Sequence, residues 1–297
     1  MSYLSPLLNR SGAVAAGGLD AGVAAHYGDP NREQRLLIGY LGKAPSAVVD
    51  LSHRGVVSVS GPDRLSWLNT LSSQALTNLA PNTGTELLLL TIQGRIDYDA
   101  RVVDDGETTW LIVETEEAAP LAQWLSSMKF MLRVEIADVS ADWAVVGSVA
   151  RIAEWSDLTV WEDPWPNISA GGYSYAAVTD AEHPGLERPW FEYLIPAADL
   201  VETVGQRPLA GAWAAEALRV AAWRPRRGAE TDEKTIPHEL DLIRTAVHLN
   251  KGCYKGQETV ARVHNLGRPR VVWCSCSWMA PCTPCPLWVA KYSLMSG

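Results

Sequence analysis

Lys251-Gly252-Cys253-Tyr254-Lys255-Gly256-Gln257-Glu258 is the stretch on which the reading of this chain turns. These eight residues hold one thiol, two ammonium groups, two glycines, an amide and a carboxylate. Each type has a use at a binding site. Glycine lets backbone approach a ligand closely and adopt positive φ, and an amide beside a carboxylate offers mixed donors and acceptors. Cys253 sits between two lysines, a setting that favours the thiolate and with it action as nucleophile, redox centre or soft ligand. A lone cysteine is also commonly a small buried hydrophobe, and composition does not decide between the two.

The charge around this segment differs from the rest of the chain. Residues 219–270 carry eleven Lys and Arg against six Asp and Glu, a local +5 in a chain of net charge −9, which leaves −14 for the remainder. An acidic protein lacks the basic face that nonspecific nucleic-acid binding needs, so no direct nucleic-acid contact is expected. The basic run is either a solvated face or an anion-binding wall. The side chains that would form such a wall are Arg219, Arg224, Arg226, Arg227, Lys251 and Lys255.

Composition, 47% hydrophobic and 20% charged over 297 residues, excludes the disordered and membrane classes and allows two or three folding units. The longest aliphatic stretch, Leu87-Leu88-Leu89-Leu90 followed by Thr91-Ile92, is far short of the roughly 20 residues that cross a bilayer, and reads as a buried strand. Cys253 is the only cysteine in the first 273 residues. No disulfide framework can form there, which points to the cytoplasm.

Residues 1–46 are rich in Ala, Gly and Ser and form an N-terminal segment without an evident role. Residues 47–138 read as a first α+β module. Its strands fall at 56–60, 86–92, 96–103, 108–114 and 133–137, with Asp104-Asp105-Gly106 as a hairpin turn. One helix follows Gly61-Pro62-Asp63 with Leu65, Leu68 and Leu71 on a face; another carries Leu121, Trp124, Leu125 and Met128 at the i, i+3, i+4, i+7 spacing. Residues 139–272 read as a second module, with strands at 143–147 and 190–195, a Trp- and Pro-rich loop at 161–166 and a helix at 209–222. The polar stretch 224–239 is expected to loop over a surface. Strands and helices mixed without strict alternation give an α+β class rather than a doubly wound sheet.

The 251–258 segment resembles the K-G-C-[YF]-x-G-Q-E signature of YgfZ-type folate-binding proteins, a branch of the glycine-cleavage T-protein superfamily, and every defined position matches. The resemblance extends to Arg226 through Leu240, which ends in the Pro237-His238-Glu239 version of the family's Pro-x-Glu loop, and to Ala217-Leu218-Arg219-Val220 before it. Phe191-Glu192-Tyr193 is similar to the Phe-Glu-Ile strand of T-proteins, whose Glu contacts the pterin. Gly94-Arg95-Ile96-Asp97-Tyr98-Asp99 resembles the T-protein segment Gly-Gly-Ile-x-Asp-Asp, with Tyr98 and Asp99 over the two family aspartates. The resemblance covers residues 47–272 and implies two α+β modules around a central folate channel, with tetrahydrofolate or a one-carbon derivative as cofactor. It implies Cys253 and Asp99 as the chemically active groups, and Lys251, Gln257, Glu258, Glu192, Tyr98 and Arg227 as folate contacts. The function implied is that of an accessory protein for assembly, maintenance or repair of iron–sulfur enzymes, tRNA-modifying ones included, with those enzymes as partners. Folate-dependent aminomethyl transfer is the alternative; the cysteine in the signature and the broken aspartate pair count against it.

The family continues into a small β-barrel after the signature, and the sequence here does not follow that pattern. Residues 273–297 hold four Cys, three Trp and three Pro, with Lys291 the only charged side chain. Cys274-x-Cys276 and Cys282-x-x-Cys285 invite a zinc or iron–sulfur reading, but the spacing matches no such site. Loss of charge with Cys and Trp enrichment is what out-of-frame translation of a GC-rich coding sequence produces, and a missing or truncated barrel with no metal site is the expectation.

Overall fold

The computed structural model of the chain describes residues 3–176 and 182–266. The 273–297 tail and its four cysteines lie outside them. In the N-terminal segment β1 (Val14–Ala15) and β2 (Ala24–His26) pair antiparallel, and α1 (Pro30–Ile38) follows, its first turn capped by the Asp29 side chain accepting from Arg32 N.

Two five-stranded sheets make the body. β3 (Val48–Asp50) leads into β4 (Gly55–Ser60), β5 (Gly84–Leu90), β6 (Ile96–Asp104), β7 (Thr108–Val113) and β8 (Glu135–Asp138). The last five of these form one antiparallel sheet in the order β5-β6-β7-β4-β8. β9 (Trp143–Ser148), β10 (Val160–Glu162), β11 (Phe191–Pro196) and β12 (Leu209–Ala210) build the other, in the order β10-β11-β9-β3-β12. Although it precedes β4 in the chain, β3 therefore belongs to the second sheet. Helices α2 (Arg64–Leu71) and α3 (Ala118–Met128) flank the first sheet, α4 (Leu200–Val204) and α5 (Ala212–Ala221) the second, and α6 (Gln257–Asn265) comes last.

Strand alternation decides which face each side chain takes. On β6, Tyr98, Ala100 and Val102 join the core that the first sheet shares with α2 and α3. Val103, with Val56 and Ile112, turns the other way and packs on Val49, Val145 and Leu194 of the second sheet, around fully buried Trp161. Each such aliphatic side chain contributes about 2 kcal/mol through burial. The third layer is formed by Leu240, Leu242, Ile243, Tyr254 and Val260, which pack on Leu88, Leu90 and Ile96 at the edge of the first sheet.

Three expectations change. Leu209 and Ala210 are a short strand parallel to Val48 and Val49 rather than the start of a helix; the helix begins after Gly211, where a Cβ would stand 2.1 Å from Ala25 O. Trp161 lies in β10, not in a loop. The 224–239 stretch runs over the surface only in part: Gly228, Ala229 and residues 232–234 are exposed, but Arg224 and Arg226 are 4% and 2% exposed, because each finds carboxylates between the two sheets.

Candidate functional site

The 251–258 segment docks on the turn between β5 and β6. Gly256, with φ +85°, is the residue before α6, and a Cβ there would meet Thr91 O at 2.6 Å and Gly94 Cα at 3.1 Å. Gly94, with φ +76°, would drive its own Cβ to 2.6 Å from Thr259 Cβ. Only glycine supplies both the conformation and the space. Tyr254 is buried against the β5–β6 edge, and the Lys251 ammonium lies 5.3 Å from its ring centroid. Lys251 Nζ donates to Ser72 O at 2.7 Å, to Gln74 O at 2.8 Å and to Asn69 O. It thus caps carbonyls at the end of α2, and burial pushes its pKa down to about 8. The ammonium is spent on these carbonyls, which leaves Cys253 exposed with a free thiol next to Gly252, around whose Cα there is open space. Gln257 is half-buried and Glu258 exposed.

The strand leaving that turn carries the second motif. Arg227 donates to Asp97 O at 2.9 Å and Ile96 O at 3.4 Å and pairs with Glu117 at 2.8 Å, so it clamps the start of β6. Asp99 lies on the face opposite Tyr98. Burial, and then the neighbouring Glu86 carboxylate, hold the Asp99 carboxyl well above the usual carboxylate range. Glu86 itself accepts from Arg224 Nη2 at 2.6 Å and from Thr245 Oγ1 at 2.5 Å.

Between the sheets the basic run meets its counter-charges. Arg224 reaches Glu86 and, at 3.3 Å, Asp163; Arg188 reaches Asp163 at 2.7 Å. Arg226 binds Glu114 and Asp20 at 2.9 Å and Glu216 at 3.1 Å. Arg219 pairs with Glu216 and Glu230 at 2.9 and 3.0 Å, and Arg54 with Glu114. Against the cost of burial, Arg54 and Arg226 hold Glu114 down to about 2. Tryptophan rings floor the cluster, with Arg188 4.9 Å from Trp190 and Arg224 4.9 Å from Trp165. Four of the six side chains expected to form an anion-binding wall, Arg219, Arg224, Arg226 and Arg227, are struts with carboxylate partners, while Lys255 stays exposed.

Glu192, 2% exposed, sits in this cluster on β11, accepting from Trp190 Nε1 at 3.0 Å and facing Arg101 Nε at 3.4 Å. Its Oε2 has no hydrogen-bond partner, and neither do Arg54 Nε, Arg188 Nε and Arg224 NH1. All four residues line one cavity of about 20 Å³, which Asp20 of the N-terminal segment also lines; that is room for about one water molecule. Asp20 is seated between Arg226 and His53, whose Nε2 is 3.2 Å away.

The structure thus brings Asp99 and Glu192 toward the inter-sheet cluster, holds Arg227 on Glu117 and the first carbonyls of β6, and docks Lys251, Cys253, Gln257 and Glu258 one strand-turn away, while Tyr98 packs on the opposite core. Sequence reasoning missed Glu86, Arg101, Glu114, Asp163 and Asp20. A signal existed for some of them. Asp97, Asp99 and Arg101 alternate with Tyr98, Ala100 and Val102, and a strand carrying charges on one face and apolar groups on the other, in the middle of a sheet, must meet opposite charges.

Residues 43–150 match the GCVT N-terminal domain family. Over 266 residues the chain is 28% identical to the mitochondrial iron–sulfur cluster assembly factor IBA57 homologue of Chaetomium globosum, covering 78% of this chain and 57% of that protein. The corresponding homologue of Mycosarcoma maydis is 26% identical over 244 residues, covering 74% of this chain and 55% of its own. The chain spans little more than half the length of these curated relatives. Among solved structures, glycine cleavage system aminomethyltransferase T from Bartonella henselae superposes with a TM-score of 0.67 at 15% identity, covering 88% of this chain and 74% of that one. That likeness is one of fold, and it agrees with the mixed α+β architecture.

Proposed function

We propose that this protein binds tetrahydrofolate or a one-carbon derivative and serves, as a YgfZ-type protein, in the assembly, maintenance or repair of iron–sulfur enzymes, tRNA-modifying ones among them, with Cys253 as its reacting group. The observation that carries the reading is the docking of the 251–258 segment, through Gly256 on Gly94, against the strand that bears Asp99. The iron–sulfur part of the reading is supported by the names of the curated relatives. No helix among the described residues is long and apolar enough to cross a membrane, and we place the protein in the cytoplasm on its cysteine usage, whereas those relatives are mitochondrial by name.

The polar inventory between the sheets fits the edge of a pterin. Glu192 Oε2 is a free acceptor for ring N–H groups, and Arg54 Nε, Arg188 Nε and Arg224 NH1 are free donors for ring oxygen and nitrogen. The space of about 20 Å³ does not hold the ring. In this reading, admission of the ligand requires Asp20 and the segment that carries it to give way. Bound folate would supply the one-carbon unit; the chain supplies the acid at Asp99 and the exposed thiol at Cys253.

Calorimetric titration with tetrahydrofolate tests the binding. Wild type and Cys253→Ser should bind alike, and Glu192→Gln should bind at least tenfold more weakly, about 1.4 kcal/mol. Complementation of a strain deficient in iron–sulfur enzyme activity should fail with Cys253→Ser. Absence of binding by the wild type would remove the folate reading, and full complementation by Cys253→Ser would remove the thiol.

A second reading, folate-dependent aminomethyl transfer, is favoured by the half-buried Asp99, whose carboxyl burial and Glu86 raise above the usual range, in a chain whose fold resembles that of an aminomethyltransferase T. Formation of methylene-tetrahydrofolate from an aminomethylated lipoyl carrier, lost in Asp99→Asn and kept in Cys253→Ser, would select it.

A further inference from the structure

Glu86 and the 251–258 segment are joined by a run of hydrogen bonds, buried up to its last link at the half-buried Lys251, that neither the motif nor the ion-pair cluster accounts for. Thr245 Oγ1 donates to Glu86 Oε2 at 2.5 Å; Gln74 Nε2 donates to Thr245 O at 2.6 Å; Lys251 Nζ donates to Gln74 O at 2.8 Å. Thr245, Glu86 and Gln74 are 0%, 1% and 4% exposed, so water does not compete for these bonds. Each of the two intermediate residues is gripped at both its side chain and its carbonyl. Ser73 braces the same turn: its Oγ donates to Ala246 O at 2.6 Å and accepts from Leu88 N at 3.0 Å, and its carbonyl accepts from His248 N at 3.0 Å. The loop after α2 is thereby fastened on one side to Thr245 and on the other to the ammonium two residues before Cys253.

We infer that Gln74 and Thr245 are positioning residues that couple the buried Glu86 to the loop bearing Cys253, so that a change at Glu86 alters the reactivity of the thiol. Networks of this kind, in a low dielectric and without slack, pass a displacement along rather than absorbing it. Glu86 is the carboxylate that neighbours Asp99 and holds Arg224 of the inter-sheet cluster. The inference rests on the reading of Cys253 as the reacting group, but thiol reactivity is measured without folate, so a protein that binds no folate still passes or fails.

Spatial continuity alone does not establish coupling, and a double-mutant cycle does. The readout is the second-order rate of iodoacetamide alkylation at Cys253, followed by mass spectrometry of its own peptide so that the tail cysteines do not contribute. Glu86→Gln should change that rate about threefold or more, a size within measured couplings. The same substitution made in a Gln74→Met or a Thr245→Val background should change it by less than about half as much on a logarithmic scale. Thr245→Ser, which keeps the hydroxyl, should retain the wild-type response to Glu86→Gln. Gln74→Met and Thr245→Val cut the path at different points, so one that fails to fold leaves the other, and Glu86→Asp stands in if Glu86→Gln fails. An unchanged rate in Glu86→Gln, or equal shifts in the intact and cut backgrounds, overturns the inference.

Discussion

Gly94 and Gly256 back onto one another without a side chain between them: a Cβ on Gly256 would lie 3.1 Å from Gly94 Cα, and one on Gly94 would lie 3.3 Å from Gly256 O. Both have positive φ. The contact joins two segments more than 150 residues apart in sequence and fixes the distance between the strand of Asp99 and the loop of Cys253.

Alanine at Gly256 meets a carbonyl, Thr91 O, at 2.6 Å as well as an unfavourable φ. Backbone cannot swing aside as a side-chain tip can, so Gly256→Ala should cost more than the roughly 1 kcal/mol of the conformational term alone, about 2–4 kcal/mol in all. Gly252 is the control. Nothing lies within 4 Å of its Cβ position and its φ is not positive, so Gly252→Ala should stay within about 0.5–1 kcal/mol. Urea denaturation of the two variants decides; equal losses would refute the seam.

How far these relationships could be read from sequence differs by kind. The strands of the first sheet, the Asp104-Asp105-Gly106 turn and the α3 face were legible because periodicity and turn chemistry act locally. Gly94 and Gly256 were both singled out, but their meeting was not, since nothing local says which two glycines share a contact. For Lys251 and for Arg219, Arg224 and Arg226 the sequence left a solvated face and a ligand-facing wall open, and the buried struts were not foreseen, because a charge in sequence looks the same whether it faces solvent, a ligand or a buried carboxylate. Their partners Glu86, Glu114 and Asp163 sit at distant positions, and only folding brings them together.

Asp99 offers a test with a definite sign. Its folded-state pKa is raised, by burial first and Glu86 second, so the stability it contributes is present at low pH and lost as pH rises through its folded value. At neutral pH the site carries that cost, and Asp99→Asn removes it. The variant should melt above wild type near pH 7, and the two should converge as pH falls below the ordinary carboxylate value of about 4. A variant that melts lower at pH 7 would mean that Asp99 is ionised and paired.

Arg226 serves Glu114, Asp20 and Glu216 together. Arg226→Met keeps most of the volume but leaves Glu114 with Arg54 alone and Asp20 with His53 alone. Removing one partner of a buried ion pair typically costs about 3–5 kcal/mol, and a loss in that range is expected from chemical denaturation, against less than about 1 kcal/mol for Arg133→Met at the exposed Arg133–Asp63 pair.

The same pairing bears on folate chain length. With Arg219, Arg224, Arg226 and Arg227 each bound to a carboxylate and Lys251 engaged by backbone carbonyls, Lys255 is what the expected wall leaves exposed to attract a poly-γ-glutamate tail. Affinity for tetrahydrofolate should therefore change less than about threefold between mono- and triglutamate forms and be nearly flat in salt, where an open basic wall would show steep screening. Titration at 50 and 300 mM salt separates the two; a strong salt dependence would return the basic run to the surface.

His238, like His183, is a histidine that burial holds to about 4, and it should contribute to the acid sensitivity of the fold. It is 1% exposed, its ring lies 5.3 Å from that of Tyr175, and burial, reinforced by His264, pushes its pKa down to about 4 from an ordinary 6.5. A depressed histidine is neutral in the folded chain while the unfolded chain binds the proton, so stability falls as pH drops from 6.5 toward 4. The slope approaches about 1.4 kcal/mol per pH unit within that window, on the order of 3 kcal/mol across it. Glu114, held to about 2, loses its contribution only below its ordinary value of 4.5, so the two effects occupy different ranges. His238→Phe keeps a ring against Tyr175 and cannot titrate. Its denaturation midpoint should be flatter than that of wild type between pH 4.5 and 6.5, and should follow wild type again between pH 4 and 2.5, where the carboxylates govern. Parallel curves through the upper window would assign the acid sensitivity to groups other than His238.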